Sequence, residues 1–269
     1  MTSYRNFSLK LRYAMIPVIL VLTMYPSEPP APCSGQNNPY LLQNLQSAEF
    51  TLPRYNSEDV WGKTGAKEGA WELWATSTLT AEGKPPKIIA DGPDALESQG
   101  KNYTWSCMFS VGSLIDKKTD TAWSEAVEGD GIGQAVLFPV KYFPRGKRKT
   151  ATLKIFNGYG KSQRIWKNNN RVKDLVLHIA SAQAGGIETW TSYSQIKSHC
   201  KVPLQLKDQF GYQKITVPLE GCNWNVQISK EDREMGIEIK EALVIGIEIV
   251  SVYPGDKYKD TLISEADFY

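Results

Sequence analysis

What most constrains the fold of this chain is a series of short runs rich in β-branched and aromatic residues. WELWATSTL, WSCMFSV, QAVLFPV, ATLKIFNGY, KDLVLHIA, QKITVPL and ALVIGIEIVSVY follow one another from Trp71 onward, each closed off by Gly, Pro, Asn or Asp. Runs of this length, so punctuated, read as strands. Several alternate at period two: in Leu153-Lys154-Ile155-Phe156 the lysine faces away from its neighbours, as a half-buried sheet requires. About seven or eight such strands predict an all-β protein, a sandwich or jelly roll. Helical signal is scarce. Residues 229–235 read as one short turn with Ser229 at the N-cap and Asp232 three residues on, and residues 187–199 as a second.

The strand pattern leaves the first part of the chain outside the domain. Arg5, Lys10 and Arg12 precede an apolar run from Ala14 to Tyr25, then Pro30-Ala31-Pro32-Cys33, the order of an export signal. That run is about 12 residues, short of the roughly 20 that span a bilayer. Residues 1–33 are therefore expected to be a signal peptide or lipoprotein signal. Cys33 is a candidate for lipid modification, although Pro30 and Pro32 occupy places where a lipobox has an apolar and a small residue; a soluble secreted protein is the other reading. Residues 34–70 show no sustained period and are expected to be a linker or arm, with the folded domain at 71–269.

An exported chain can keep disulfides. Cys200 and Cys222 are the expected pair, closing a loop worth roughly 3 kcal/mol in the chain-entropy model, with Cys107 expected free and buried. His199, Cys200 and Cys222 as metal ligands lack a tight spacing, and a disulfide accounts for the cysteines more simply. The net charge of +2 gives no footprint for nucleic acid. The basic run at 145–149 reads as a solvated hairpin tip.

No catalytic constellation stands out: there are two histidines, no G-x-S-x-G and no P-loop. Glu125, Glu128 and Asp130 could supply glycosidase carboxylates, but solvated acids in a glycine-rich turn are commoner. Asp116, Asp120 and Thr121 offer the oxygens Ca²⁺ prefers, while spacing alone favours Asx and ST turns that cap their own backbone. Tyr159 and Trp166 fall in or beside loops with Asn157, Lys167, Asn168, Asn169, Asn170 and Arg171 around them. Rings stacked on a sugar face, with amide and guanidinium donors to its hydroxyls, would make a shallow glycan site. Trp123 reads as core, supporting that site from beneath.

The succession STL, LIDKKTDTAW, EGDGIGQ, IFNGYGKS, KNNNRVK and IVSVYPGDKYKDTLISEADFY resembles the F5/8 type C (discoidin-like) family, and is most similar to its NAD glycohydrolase translocation, or NADase-type glycan-binding, branch. The resemblance covers about residues 75–269. It implies a galactose-binding-like jelly-roll β-sandwich in an exported bacterial surface or secreted protein that attaches to glycans or glycoproteins without being an enzyme. It also implies a structural calcium at Asp116, Asp120 and Thr121, with Glu265 as the closing ligand. The glycan contacts are then expected at Tyr159, Trp166, Asn168 and Arg171, with Trp123 behind them. A membrane would be reached only through lipid at Cys33. Three places depart from the family pattern: Gln134 where a Glu is expected, Leu262 where a Cys is expected, and an insertion-like segment at 187–209.

Overall fold

A computed structural model of the chain describes residues 33, 35–45, 52–56, 73–89, 91–140, 148–187, 190–222 and 238–269. Residues Ala31–Tyr269 form one compact unit and Met1–Pro30 another. The latter, the core of the expected export signal, lies outside the described residues, as do residues 229–235 and most of the basic run at 145–149.

The described strands in chain order begin with β1 (Gln36–Asn37), β2 (Leu52–Asn56), β3 (Trp74–Ala75), β4 (Trp123–Ser124), β5 (Ala135–Val140) and β6 (Thr150–Asn157). They continue with β7 (Asn170–Ile187), β8 (Trp190–Gln205), β9 (Tyr212–Pro218), β10 (Glu238–Tyr253) and β11 (Thr261–Phe268). Among the described residues the α-helices are α1 (Leu41–Asn44), α2 (Ala95–Ser106) and α3 (Gln163–Asn168). Among the described residues, no helix is long and apolar enough to cross a membrane.

Hydrogen bonds link the strands into one mixed sheet that doubles back on itself. One layer runs β1-β3-β5-β10-β7-β8-β2, and the other runs β4-β11-β6-β9. They meet at a short parallel step, where Asn170 and Arg171 of β7 pair with Thr261 and Leu262 of β11. Between the layers, Leu153 and Ile155 of β6, Val217 of β9 and Phe268 of β11 pack with Leu175 and Leu177 of β7 and Ile245 and Ile247 of β10. This is the core of a β-sandwich, as the strand pattern predicts. Trp123 is fully buried in it, its indole N–H donating to the Ser77 carbonyl at 3.0 Å.

The larger layer is covered on its other face too. Leu41 and Leu45 pack there with Trp74, Leu137, Val244, Tyr193 and Ile196. Sheets buried on both faces read as continuous apolar runs, which explains the unbroken QAVLFPV and ALVIGI. Of the expected arm at 34–70, the described residues 35–45 are thus packed on the sheet rather than loose. Leu41 and Leu45 lie one helical turn apart, are 0% and 3% exposed, and each gains about 2 kcal/mol by burial. β1 and β2 pair with β3 and β8.

Two further expectations fail. Within 187–199, residue 187 and residues 190–199 are not helical: they belong to β7 and β8, which pair with each other. Tyr193 and Ile196, three apart, mimic a helix face. A register shift between Ser181 and Gln183 inserts an extra residue into β8 and so turns both onto one side of the sheet. WSCMFSV is not a strand either. It spans the end of α2 and a 3₁₀ turn at Val111–Leu114.

The cysteines form two disulfides. Cys200–Cys222 ties β8 to the segment after β9, and Cys33–Cys107 ties the N-terminal piece to the end of α2. Cys107 is therefore not free, and the Cys33 sulfur, bonded to Cys107, cannot also carry a lipid thioether. Leu262, where a cysteine was expected, is buried with Ala122 and Tyr159.

Candidate binding surface at the loop end

The turn after β6, α3 and the β10–β11 loop are locked together by the residues expected to touch a sugar. Ser162 caps α3, its Oγ accepting from the Ile165 N–H. This orients Trp166 inward, where its indole N–H donates to the Asn157 carbonyl at 2.7 Å. The Asn157 amide in turn bridges both backbone groups of Val172 at 2.7 and 2.8 Å. The Arg171 guanidinium lies 4.7 Å from the Trp166 ring centre, forks onto Asp208 at 3.0–3.1 Å, and donates to the Asn169 and Pro254 carbonyls. Asn170 clamps the loop: its Nδ2 donates to Asp130 and the Lys259 carbonyl, and its Oδ1 accepts from the Gly255 N–H.

The backbone comes close at Gly158, where φ is +88° and a Cβ would sit 2.6 Å from Arg171 Cγ and 2.7 Å from Trp166 Cδ1. At Gly255 a Cβ would fall 2.5 Å from the Asn169 backbone. Only glycine lets these segments approach so closely.

This corrects the expected roles. Tyr159, Trp166, Arg171 and Trp123 are 8%, 5%, 6% and 0% exposed, and none offers an open ring face or a free fork. Burial, with Asp120 nearby, holds the Tyr159 phenol above its usual pKa. The NNNR run is a buried polar hub, because its donors are needed to satisfy carbonyls of the loops it joins. Of the five residues, Asn168 alone stays partly exposed, its carbonyl accepting from Lys257 and Tyr258 N–H groups at 3.0 and 2.7 Å.

The hub presents a different set of groups outward. Gln163, Arg164, Lys167, Asn168 and Asp256 line a shallow depression. Tyr258 is exposed, with the Lys257 ammonium 4.7 Å from its ring centre. Phe210 and Tyr212 are also exposed, and both pack edge-on against the buried Phe156; Phe210 also meets Trp166. Reasoning from sequence missed these rings. Their signal was an aromatic pair flanking Gly211, which takes φ +130°.

The expected calcium corner assembles in part. Asp116 accepts from the Lys118 N–H and the Thr121 hydroxyl at 2.8 and 2.7 Å. Glu265 accepts from the same N–H at 2.8 Å, while Asp120 is exposed. Burial, then the adjacent Asp116 carboxylate, pushes Glu265 up to about 8, against the opposing pull of turn N–H groups. A site that holds two facing carboxylates and a hydroxyl fits Ca²⁺ in donor chemistry and in the charge it would relieve. It provides three side-chain ligands toward the six to eight oxygens that Ca²⁺ takes. Among the described residues, no three His, Cys, Asp or Glu side chains are grouped to hold a metal.

Of the three acids at or before the GDGIG turn, Glu125 and Asp130 make structural contacts, while Glu128 is exposed. Glu125 is buried and accepts from the Thr261 and Val127 N–H groups at 3.0 and 2.9 Å. Burial raises its pKa, helped by Asp260 and Asp130. Gln134 accepts from the Thr76 and Ser77 hydroxyls at 2.7 and 2.6 Å.

A two-layer all-β sandwich with loops locked at one end defines a discoidin-like, F5/8 type C domain. More particularly, the chain belongs to the NAD glycohydrolase translocation F5/8 type C domain family, which matches it over residues 94–269. Among solved structures it is similar to the arabinofuranosyltransferase AftD from Mycobacteria, at 9% identity and TM-score 0.35, over 73% of this chain and 10% of that one. It is also similar to a Ruminococcus gnavus fucosidase, at 14% identity and TM-score 0.27, over 61% of this chain and 22% of that one. The chain thus spans about a tenth and a fifth of those proteins. A comparison with curated proteins finds no match.

Proposed function

We propose that this protein is a non-catalytic glycan-attachment module of an exported bacterial surface or secreted protein. Membership of the family over residues 94–269 carries the reading. The outward groups support it: amides and charged side chains around an open depression, with exposed rings at Tyr258, two residues from Asp256, and at Phe210, against Trp166 of α3. A shallow site of this kind binds weakly, so avidity from display of many copies supplies the strength. Two disulfides with no free cysteine favour an oxidising compartment. The non-catalytic role is supported by Glu125, whose carboxylate oxygens already accept backbone N–H groups. Calcium, held by Asp116, Thr121 and Glu265, would stiffen the turn before β4.

A glycan array probed with the full chain tests this. Signal from wild type that falls in Asn168→Ala and Phe210→Ala, with unchanged melting, is the expected result. A folded wild type that binds no glycan refutes it and favours an envelope protein-interaction module on the same fold.

A further inference from the structure

The segments that form the depression are basic. Residues 161–168 and 254–260 carry five basic and two acidic side chains, a local net charge of +3 against +2 for the whole chain. Arg171 is neutralised internally by Asp208. In contrast, Lys161, Arg164, Lys167, Lys257 and Lys259 form no ion pair among the described residues. Two of the five, Arg164 and Lys167, stand three residues apart on α3 and so share one face of it. Both line the depression, next to the Gln163 and Asn168 amides.

The frame beneath them is rigid. The Lys167 carbonyl accepts from the Asp256 N–H at 2.9 Å, and the Asn168 carbonyl accepts from both Lys257 and Tyr258. Asp256 completes the lining with a carboxylate, an acceptor for hydroxyls that repels anions. The depression is therefore polarised, with cations at Arg164 and Lys167 that have no ion-pair partner among the described residues, and an acceptor at Asp256.

We propose that the depression takes an acidic sugar, its carboxylate or sulfate held between Arg164 and Lys167 and its hydroxyls on Gln163, Asn168 and Asp256. This rests on the glycan-attachment reading and names the ligand class for it. Arg and Lys bind such oxyanions by charge-assisted hydrogen bonds, and exposed charges of this kind act less strongly as salt rises.

The test is titration of the full chain with hyaluronan oligosaccharide (carboxylate only), heparin oligosaccharide (sulfate and carboxylate) and chito-oligosaccharide (neutral), each at low and high salt. Binding to either acidic probe, weakened about tenfold or more by Arg164→Ala or Lys167→Ala and by salt, is expected. Hyaluronan binding identifies the carboxylate, and heparin binding alone identifies the sulfate. Lys214→Ala, exposed on β9, is expected to bind as wild type does. Equal loss in Lys214→Ala would mean diffuse electrostatics and overturn the proposal. Binding to chito-oligosaccharide alone would overturn it while leaving glycan attachment standing; no binding to any glycan would overturn both.

Discussion

Substituting Gly158 by alanine tests whether Trp166 and Arg171 are pinned against the turn after β6. Two costs add. At φ +88° a Cβ meets backbone strain of about 1–2 kcal/mol. That Cβ would also lie 2.6 Å from Arg171 Cγ, 2.7 Å from Trp166 Cδ1 and 2.8 Å from Trp166 Nε1. These are not loose ends of side chains. Arg171 is fixed by Asp208 and backbone carbonyls, and Trp166 by its bond to the Asn157 carbonyl. Overpacking against such groups costs a further ~1–3 kcal/mol, for a total near 2–5 kcal/mol. At about 2–4 °C per kcal/mol for a domain of this size, the melting temperature should fall by roughly 4–20 °C. Gly129→Ala is the control: its φ is +106°, but a Cβ there meets nothing within 4 Å, so it pays the strain alone. Thermal melts of both variants decide the matter. If Gly158→Ala melts no lower than Gly129→Ala, the hub is not packed as described.

The Glu265 carboxyl, pushed from 4.5 to about 8, holds a proton more tightly in the folded state than in the unfolded one. Its contribution is therefore fully present below about pH 4.5 and is lost as pH rises toward 8, on the order of a few kcal/mol. Urea melts across that window should show stability falling with pH, less so in Glu265→Gln, and Ca²⁺ should raise the melting temperature at pH 8 relative to chelator; the same melt with and without the ion would remove calcium. Non-reducing peptide mapping should recover Cys33–Cys107 and Cys200–Cys222 with no free thiol. Reduction should destabilise the fold by several kcal/mol, since the two loops are worth about 4.5 and 3 kcal/mol in the chain-entropy model. A lipid adduct on Cys33 would contradict the pairing.

The strands were legible wherever burial imposed a simple pattern. β5, β6, β7, β9 and β10 each contain a run visible in the sequence, because inner positions alternate or both faces are covered. β8 was hidden by its bulge, which puts Tyr193 and Ile196 at helical spacing. α2 was hidden because most of its described positions are exposed or only partly covered, so it carries no apolar stripe. At the loop end, the sequence singled out the right segment but not its inside and outside. Asn, Arg and Trp side chains suit a sugar site and a buried hub equally well. What separates the two is the approach of Gly158 and Gly255, and that depends on residues up to about a hundred positions away. The same holds for Cys33, whose partner Cys107 lies 74 residues on.

β11 has a consequence for how the molecule comes into being. This strand pairs with β4, β6 and β7, and its Glu265 accepts from an N–H 147 residues earlier. Contacts of such sequence separation form slowly, because loop entropy must be overcome before they reward it. Until residues 261–268 exist, β6 lacks one of its two neighbours and the parallel step between the layers cannot form. Docking of the β4-β11-β6-β9 layer against the other therefore waits until β11 has been made.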